Sequence, residues 1–202
     1  CSHCTTILTN RKISAEYFSF HTTDAEYQLL EKIRHIPKTK FLAGNADFAL
    51  GIVTGNNKKY ISSVKNKDNE VILKGSDICK YHTNPNSNYI VFNPQNFQQV
   101  APIEMYRAPE KLLYRFISSQ LVFDDKQTLS LNSCNLVIPK LEGLHIKYIL
   151  AILNSRIAQF IYKMEFHSVK VLRSHIENIP ILDVNADMQN SIIQAVEPLI
   201  NG

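Results

Sequence analysis

Gly51-Ile-Val-Thr-Gly-Asn-Asn-Lys-Lys-Tyr-Ile61 reads as an apolar strand, a sharp polar turn and a basic strand. Upstream, Phe48, Leu50 and Ile52 alternate as a half-buried strand does, and Tyr60 and Ile61 resume apolar character past the turn. Thr54-Gly-Asn-Asn57 holds residue types that tolerate positive φ and hydrogen-bond to their own backbone. Lys58 and Lys59 follow at once. A tight polar turn with exposed amides beside two ammonium groups suits a phosphate backbone with base edges behind it. On spacing alone, a surface hairpin with solvated lysines is the simpler reading.

Working outward, Leu29, Leu30, Ile33 and Ile36 fall on one helical face behind Asp24 as N-cap, with Pro37 closing the helix. Before it, Tyr17, Phe18 and Phe20 suit a short strand or packing arm. Past the opening stretch, short strands alternate with polar turns: residues 70–74 and 89–92, then 112–117, 120–123, 128–131 and 135–138. Residues 94–109 read as an irregular connection that holds Arg107. Arg115, in the strand pattern with Leu113 and Ile117, either lines a groove or faces solvent. From His145 the period becomes 3.6, with Ile146, Ile149, Leu150, Leu153, Ile157, Phe160, Ile161 and Met164 predicting one long amphipathic helix whose stripe is core. A basic loop (His167, Lys170, Arg173, His175) leads to a short strand at 180–182, and Asp187 then caps a last helix weakened by Pro198.

At 202 residues the chain can bury a sizeable core. Apolar content of 45% and charged content of 20% are those of an ordinary globular protein, and no run approaches a membrane span or signal peptide. The start at Cys1 rather than Met reads as a segment of a longer polypeptide, with further chemistry upstream. Net charge of +4 does not by itself indicate nucleic acid, but between residues 34 and 81 nine Lys or Arg stand against four Asp or Glu. That bias is what a phosphate-contacting face requires. Cys1, Cys4, Cys79 and Cys134 form no disulfide framework and are read as cytosolic free thiols, so the expected location is cytoplasmic. Cys1-x-x-Cys4 with Cys79-x-x-His82 lacks the usual second-pair spacing, and no structural zinc is expected.

Several blocks also carry a resemblance. The opening stretch, then Leu73-Lys-Gly-Ser-Asp-Ile-Cys-Lys-Tyr81, Lys111-Leu-Leu-Tyr-Arg115, Leu121-Val-Phe-Asp-Asp125, Leu150-Ala-Ile-Leu-Asn-Ser155 and Ile176-x-x-Ile-Pro-Ile181 follow one another in family order. Together they resemble the TaqI-like C-terminal specificity domain, the target-recognition part of N6-adenine DNA methyltransferases and of fused type IIG restriction-modification enzymes. The resemblance implies a domain that clamps double-stranded DNA against the methyltransferase catalytic domain of the same polypeptide and supports the duplex while an adenine is flipped out. It implies S-adenosylmethionine for the parent protein, and it assigns none of the base-reading residues.

The chain itself lacks that catalytic chemistry. The family's catalytic half holds the flipped adenine with Asn-Pro-Pro-aromatic, and the nearest strings here, Asn84-Pro-Asn86 and Asn93-Pro-Gln95, do not match. Six glycines form neither an S-adenosylmethionine loop nor a phosphate-binding loop. Asp124-Asp125-Lys126 alone has nuclease spacing and reads better as a charged turn. No cofactor, catalytic residue or metal ligand is therefore expected in this chain.

The expected fold is α+β, with short-stranded mixed or antiparallel sheets packed against the helix at about 145–164. The expected organisation is an N-terminal arm and helix at 1–42, a recognition domain at 43–183 and a C-terminal helix at 184–202. Candidate phosphate contacts are Lys58, Lys59, Lys74, Lys111, Lys170 and Arg173. Candidate base readers are Asn56, Asn57, Arg107 and Arg115, because Asn suits adenine edges and Arg suits guanine edges. The competing readings are a non-catalytic protein-interaction scaffold and a divergent metal-dependent nuclease acting through Asp124.

Overall fold

The leucine-rich runs between residues 111 and 139 build the centre of the molecule, because their period-2 alternation gives two apolar faces at once. The computed structural model describes residues 23–85, 87–166 and 170–201. The expectations for Cys1, Cys4, Tyr17, Phe18, Phe20 and His167 lie outside the described residues. In chain order come α1 (Asp24–Arg34), β1 (Thr39–Lys40), β2 (Ala46–Ala49), the single turn α2 (Asn57–Tyr60), β3 (Ile61–Ser62) and β4 (Glu70–Leu73). Next are β5 (Tyr89–Ile90), the short α3 (Ile103–Tyr106), β6 (Lys111–Arg115), β7 (Leu121–Asp124), β8 (Leu129–Ser130) and β9 (Cys134–Pro139). The chain ends with α4 (Ile146–Leu153), α5 (Arg156–Glu165), α6 (Arg173–Glu177), β10 (Ile181–Leu182) and α7 (Ala186–Asn201).

The fold is α+β. Strands β2-β9-β6-β7 form an antiparallel sheet, and β3-β5-β4-β8 form a smaller sheet that is antiparallel except for the β4–β8 pair. Alternation along β6 sends Leu112 and Tyr114 into a core shared with Tyr148, Ile149, Leu153 and Ile161 of the helices. Leu113 points the other way, joining Val122 and Leu136 against Ile52, Ile72, Ile90, Leu129 and Leu131 of the second sheet. The result is three layers: helices, the four-stranded antiparallel sheet, and the smaller mixed sheet. Short antiparallel β1 and β10 tie the chain beside α1 to the segment before α7.

The single long helix expected at about 145–164 is two helices. Asn154 is fully buried between them, and its amide donates to the Leu121 carbonyl at 2.9 Å and accepts from the Leu121 N–H at 3.0 Å. Ser155 then caps α5, its Oγ accepting from the Ala158 N–H at 3.1 Å. The apolar period runs on across this break, but Ile157 is 57% exposed and outside the core stripe. Asn154→Ala is expected to cost about 2 kcal/mol, because it orphans the buried Leu121 N–H and removes one of the two donors to the Leu121 carbonyl, which keeps the Tyr81 N–H. Chemical denaturation checks this, and a loss under about 0.5 kcal/mol would mean that water replaces the amide.

Helix starts are shifted too. Thr23, not Asp24, caps α1, in a reciprocal capping box with Glu26. At α7 the Asn185 side chain, rather than Asp187, accepts from the Met188 N–H at 3.0 Å, and the helix continues through Pro198 to Asn201. Leu29 and Ile36, expected on the buried face of the first helix, are 47% and 37% exposed, whereas Ile33 is buried.

Candidate nucleic-acid interface

Residues 51–61 are not a hairpin. Strand β2 pairs with β9, and β3 pairs with β5, so the two flanks of the turn enter different sheets. Between them Ile52 is held by its N–H to the Ser130 carbonyl (2.7 Å) and by its carbonyl to the Asn132 N–H (3.1 Å). Val53 exchanges two backbone hydrogen bonds with Gln99, at 2.9 and 3.1 Å. The polar residues then knot the turn rather than project from it. The Thr54 hydroxyl donates to the Asn57 amide oxygen at 2.6 Å and accepts from the Asn56 N–H at 3.1 Å. Asn56 caps α2 by accepting from the Lys59 N–H at 3.2 Å. Gly55 takes φ +76°, which is where glycine costs least. Lys58 and Lys59 remain exposed on this braced turn, with the Lys59 ammonium 5.0 Å from the centre of the Tyr60 ring.

A second part of the site converges on the turn at residues 131–134. The Gly75 N–H donates to the Ser133 hydroxyl at 3.0 Å, which holds the half-buried Lys74 beside that turn. The Phe116 N–H donates to the Ser133 carbonyl at 3.1 Å, and half-buried Arg115 pairs in register with Cys134. Ile117 bridges to Lys170, whose ammonium lies 5.3 Å from the Phe116 ring centre. Exposed Arg173 sits 4.9 Å from the Phe48 ring centre and pairs with Glu177 at 2.8 Å. Arg173 and Gln99 line one open cleft of about 470 Å³ together with Phe48, Leu50, Gly51 and Met105. The 131–134 turn thus lies beside Gly51, Ile52, Gly75 and Phe116, and Arg173 lies at the cleft that Gly51 also lines.

Two expected contacts do not belong with them. Lys111 is fully buried between the sheets and bonds Asp124 at 2.5 Å, so no phosphate can reach it. Arg107 is a fork onto both oxygens of Glu70, at 2.8 and 2.6 Å, and also donates to the Gln127 carbonyl. Those bonds to Glu70 raise its pKa and hold its guanidinium to a carboxylate rather than leaving it open to a guanine. Asp124 is likewise spent: beyond Lys111 it accepts from the Thr128 N–H at 3.0 Å and the Thr128 hydroxyl at 2.5 Å. Among the described residues no three His, Cys, Asp or Glu are placed to hold a metal ion. The Cys134 thiol is fully buried, which pushes its pKa upward and makes it a packing residue.

Two of the glycines are placed for packing. A Cβ on Gly51 would lie 2.2 Å from the Leu131 carbonyl oxygen, and one on Gly75 2.3 Å from the Ser133 carbonyl oxygen, so both exist for close backbone contact with one turn. They form no cradle. Sequence reasoning missed this turn and Asn135, whose side chain accepts from the Gly51 N–H at 3.2 Å. The available signal was a glycine at the end of an apolar strand, where close backbone approach is a common cause.

Comparison with known proteins gives three kinds of likeness. Residues 70–181 match the family described as the TaqI-like C-terminal specificity domain. The type II methyltransferase M.VspI of Vibrio sp. (strain 343) is 40% identical over 63 residues, which are 31% of this chain and 15% of that protein. The HsdS subunit from Thermoanaerobacter tengcongensis superposes with a TM-score of 0.52 at 12% identity, over 88% of this chain and 42% of that one. The type IIG restriction endonuclease BpuSI superposes with a TM-score of 0.58 at 12% identity, over 87% of this chain and 28% of that one. At such identities the two structures show a shared fold. The chain spans less than half the length of each of these relatives.

Proposed function

The chain belongs to the TaqI-like C-terminal specificity domain family, and from that membership we propose that it is the DNA target-recognition domain of a restriction-modification N6-adenine methyltransferase, type IIG-like in plan. In this reading the recognition unit at 43–183 presents double-stranded DNA to a catalytic domain elsewhere in the same cytoplasmic polypeptide. S-adenosylmethionine would be held by that catalytic domain. Among the described residues no helix is long and apolar enough to cross a membrane.

The observation that carries the proposal is the exposed Lys58–Lys59 pair, held on a turn braced at Ile52 and Val53. Ammonium groups on a fixed turn grip phosphates without a large ordering cost, and Lys74, Lys170 and Arg173 are proposed as further phosphate contacts. Arg115 is the arginine still available to a guanine edge, because Arg107 is bound to Glu70. Asn56 and Asn57 have their carbonyl oxygens engaged within the turn, so each offers DNA only its amide donors.

The chain should bind duplex of arbitrary sequence weakly, in the ~10⁻⁴–10⁻⁶ M range, with affinity falling as salt rises. Changing both Lys58 and Lys59 to Ala should weaken binding to every sequence alike and flatten the logarithmic salt slope by up to ~2 units. A salt-titrated binding series on duplexes of different sequence reads both effects. Wild-type affinity for the double variant at every salt concentration would remove this turn from the DNA face.

A further inference from the structure

We infer that residues 93–99 form the base-reading loop of this domain, with Gln95, Asn96 and Gln98 reading A·T pairs in the major groove. The inference rests on the proposal that Lys58 and Lys59 grip the phosphates of the same duplex. Five of the seven residues in Asn93-Pro-Gln-Asn-Phe-Gln-Gln99 carry side-chain amides, and no charged residue occurs between Tyr89 and Ile103. An amide presents a donor and an acceptor in one plane, which matches adenine N6 and N7, and a neutral loop sets no carboxylate against the phosphates. Gln95, Asn96, Gln98 and Gln99 are exposed, and their side chains make no hydrogen bond to any of the described residues. That separates them from Asn56 and Asn57, whose amide oxygens the fold already uses, and from Arg107, which is bound to Glu70.

The backbone beneath these amides is fixed. The Asn96 N–H donates to the Asn93 carbonyl at 3.0 Å and the Phe97 N–H to the Pro94 carbonyl at 3.2 Å, closing a short 3₁₀ turn at Pro94–Asn96. The Phe97 ring packs edge-on against Tyr60 with centroids 5.4 Å apart, and against Phe92 at 6.2 Å. Two backbone bonds join Gln99 to Val53, and a Cβ on Gly55 would lie 3.3 Å from the Gln98 Cβ. The amides are therefore clamped next to the turn that carries Lys58 and Lys59. A phosphate held by that turn would leave the adjoining base edges within reach of the loop, which loses little further freedom on binding.

The test selects from a randomised duplex pool with the wild-type chain, with the triple variant Gln95→Ala/Asn96→Ala/Gln98→Ala, and with Gln98→Ala alone. Thermal melts confirm that each variant is folded. The wild type should enrich A·T at one or more positions. The triple variant should lose that preference by about 5- to 150-fold per position, the discrimination of one good bidentate contact, with an unchanged salt slope. Replacing adenine by 7-deazaadenine in the enriched duplex removes the N7 acceptor. That change should weaken the wild type by a similar factor and leave the triple variant unaffected. An identical enriched sequence for wild type and triple variant would overturn the loop assignment and leave the lysine grip standing. Duplex binding by the wild type without any sequence preference would overturn it as well. No wild-type binding to duplex at any salt would overturn the proposed function and this inference with it.

Discussion

Asp124→Ala is expected to destabilise the chain by about 3–5 kcal/mol, the usual cost of removing one partner from a buried ion pair. Lys111 and Asp124 face each other in register across β6 and β7, and their side chains are 0% and 7% exposed. The carboxylate accepts from the Lys111 ammonium and from both donors of Thr128, so its loss orphans a buried charge and loosens the link into β8. The pair itself adds little net stability, because desolvating two ions offsets most of their attraction. Lys111→Met combined with Asp124→Leu should therefore recover the part of the loss due to the unpaired lysine, though not the part due to the two Thr128 donors. Urea denaturation of the single and double variants measures both quantities. A loss below about 1 kcal/mol for Asp124→Ala would show that water reaches the site. Duplex binding by the folded double variant should keep the wild-type salt slope, because neither group faces phosphate.

That pair also shows where the sequence was hard to read. A lysine ahead of a leucine-rich strand looks like a surface cation, since lysine is almost never fully buried unless paired. Its partner lies thirteen residues on, across β6 and β7, and only the register reveals it. The strands themselves were legible because they alternate: Glu70–Leu73, Lys111–Arg115 and Cys134–Pro139 stand within a residue or two of their expected places. The break between α4 and α5 was hidden because Leu150, Leu153 and Ile157 keep the helical period across Asn154. The opening stretch misled for a different reason. Thr, Gly and Asn serve a hairpin turn and a helix cap equally well, and what separates the two is which strand lies alongside. The partner of β2 is β9, about ninety residues away, beyond any local pattern. At the candidate site, the basic residues were named from charge alone, whereas the turn at 131–134 that receives Gly51, Gly75 and Phe116 was not read, because its role is to receive backbone.

Gly51→Ala is expected to cost ~3 kcal/mol or more, at or above the upper end of the range for overpacking. The added Cβ would meet the Leu131 carbonyl oxygen at 2.2 Å, its carbon at 2.4 Å and the Cys134 carbonyl oxygen at 2.5 Å. All three are backbone atoms, so no rotamer change relieves the contact. Nor can the 131–134 turn retreat easily. Its backbone is held by Cys134 N–H to Leu131 carbonyl (2.7 Å), Leu131 N–H to Leu73 carbonyl (2.8 Å) and Phe116 N–H to Ser133 carbonyl (3.1 Å), and its Ser133 hydroxyl accepts from the Gly75 N–H. For a chain of this size ~3 kcal/mol lowers the melting temperature by roughly 6–12 °C. Gly55→Ala supplies the contrast: its φ of +76° costs a side chain about 1–2 kcal/mol, and the nearest atom is a side-chain carbon at 3.3 Å. Under the proposed DNA-binding function the consequence extends to binding, because Ile52 and Val53 carry the turn that holds Lys58 and Lys59. Measured well below its own melting temperature, Gly51→Ala should show the flattened salt slope of the lysine variant although both lysines are present. If Gly51→Ala melted within about 2 °C of wild type and bound duplex with an unchanged slope, the basic turn would not depend on the close approach of Gly51 to Leu131.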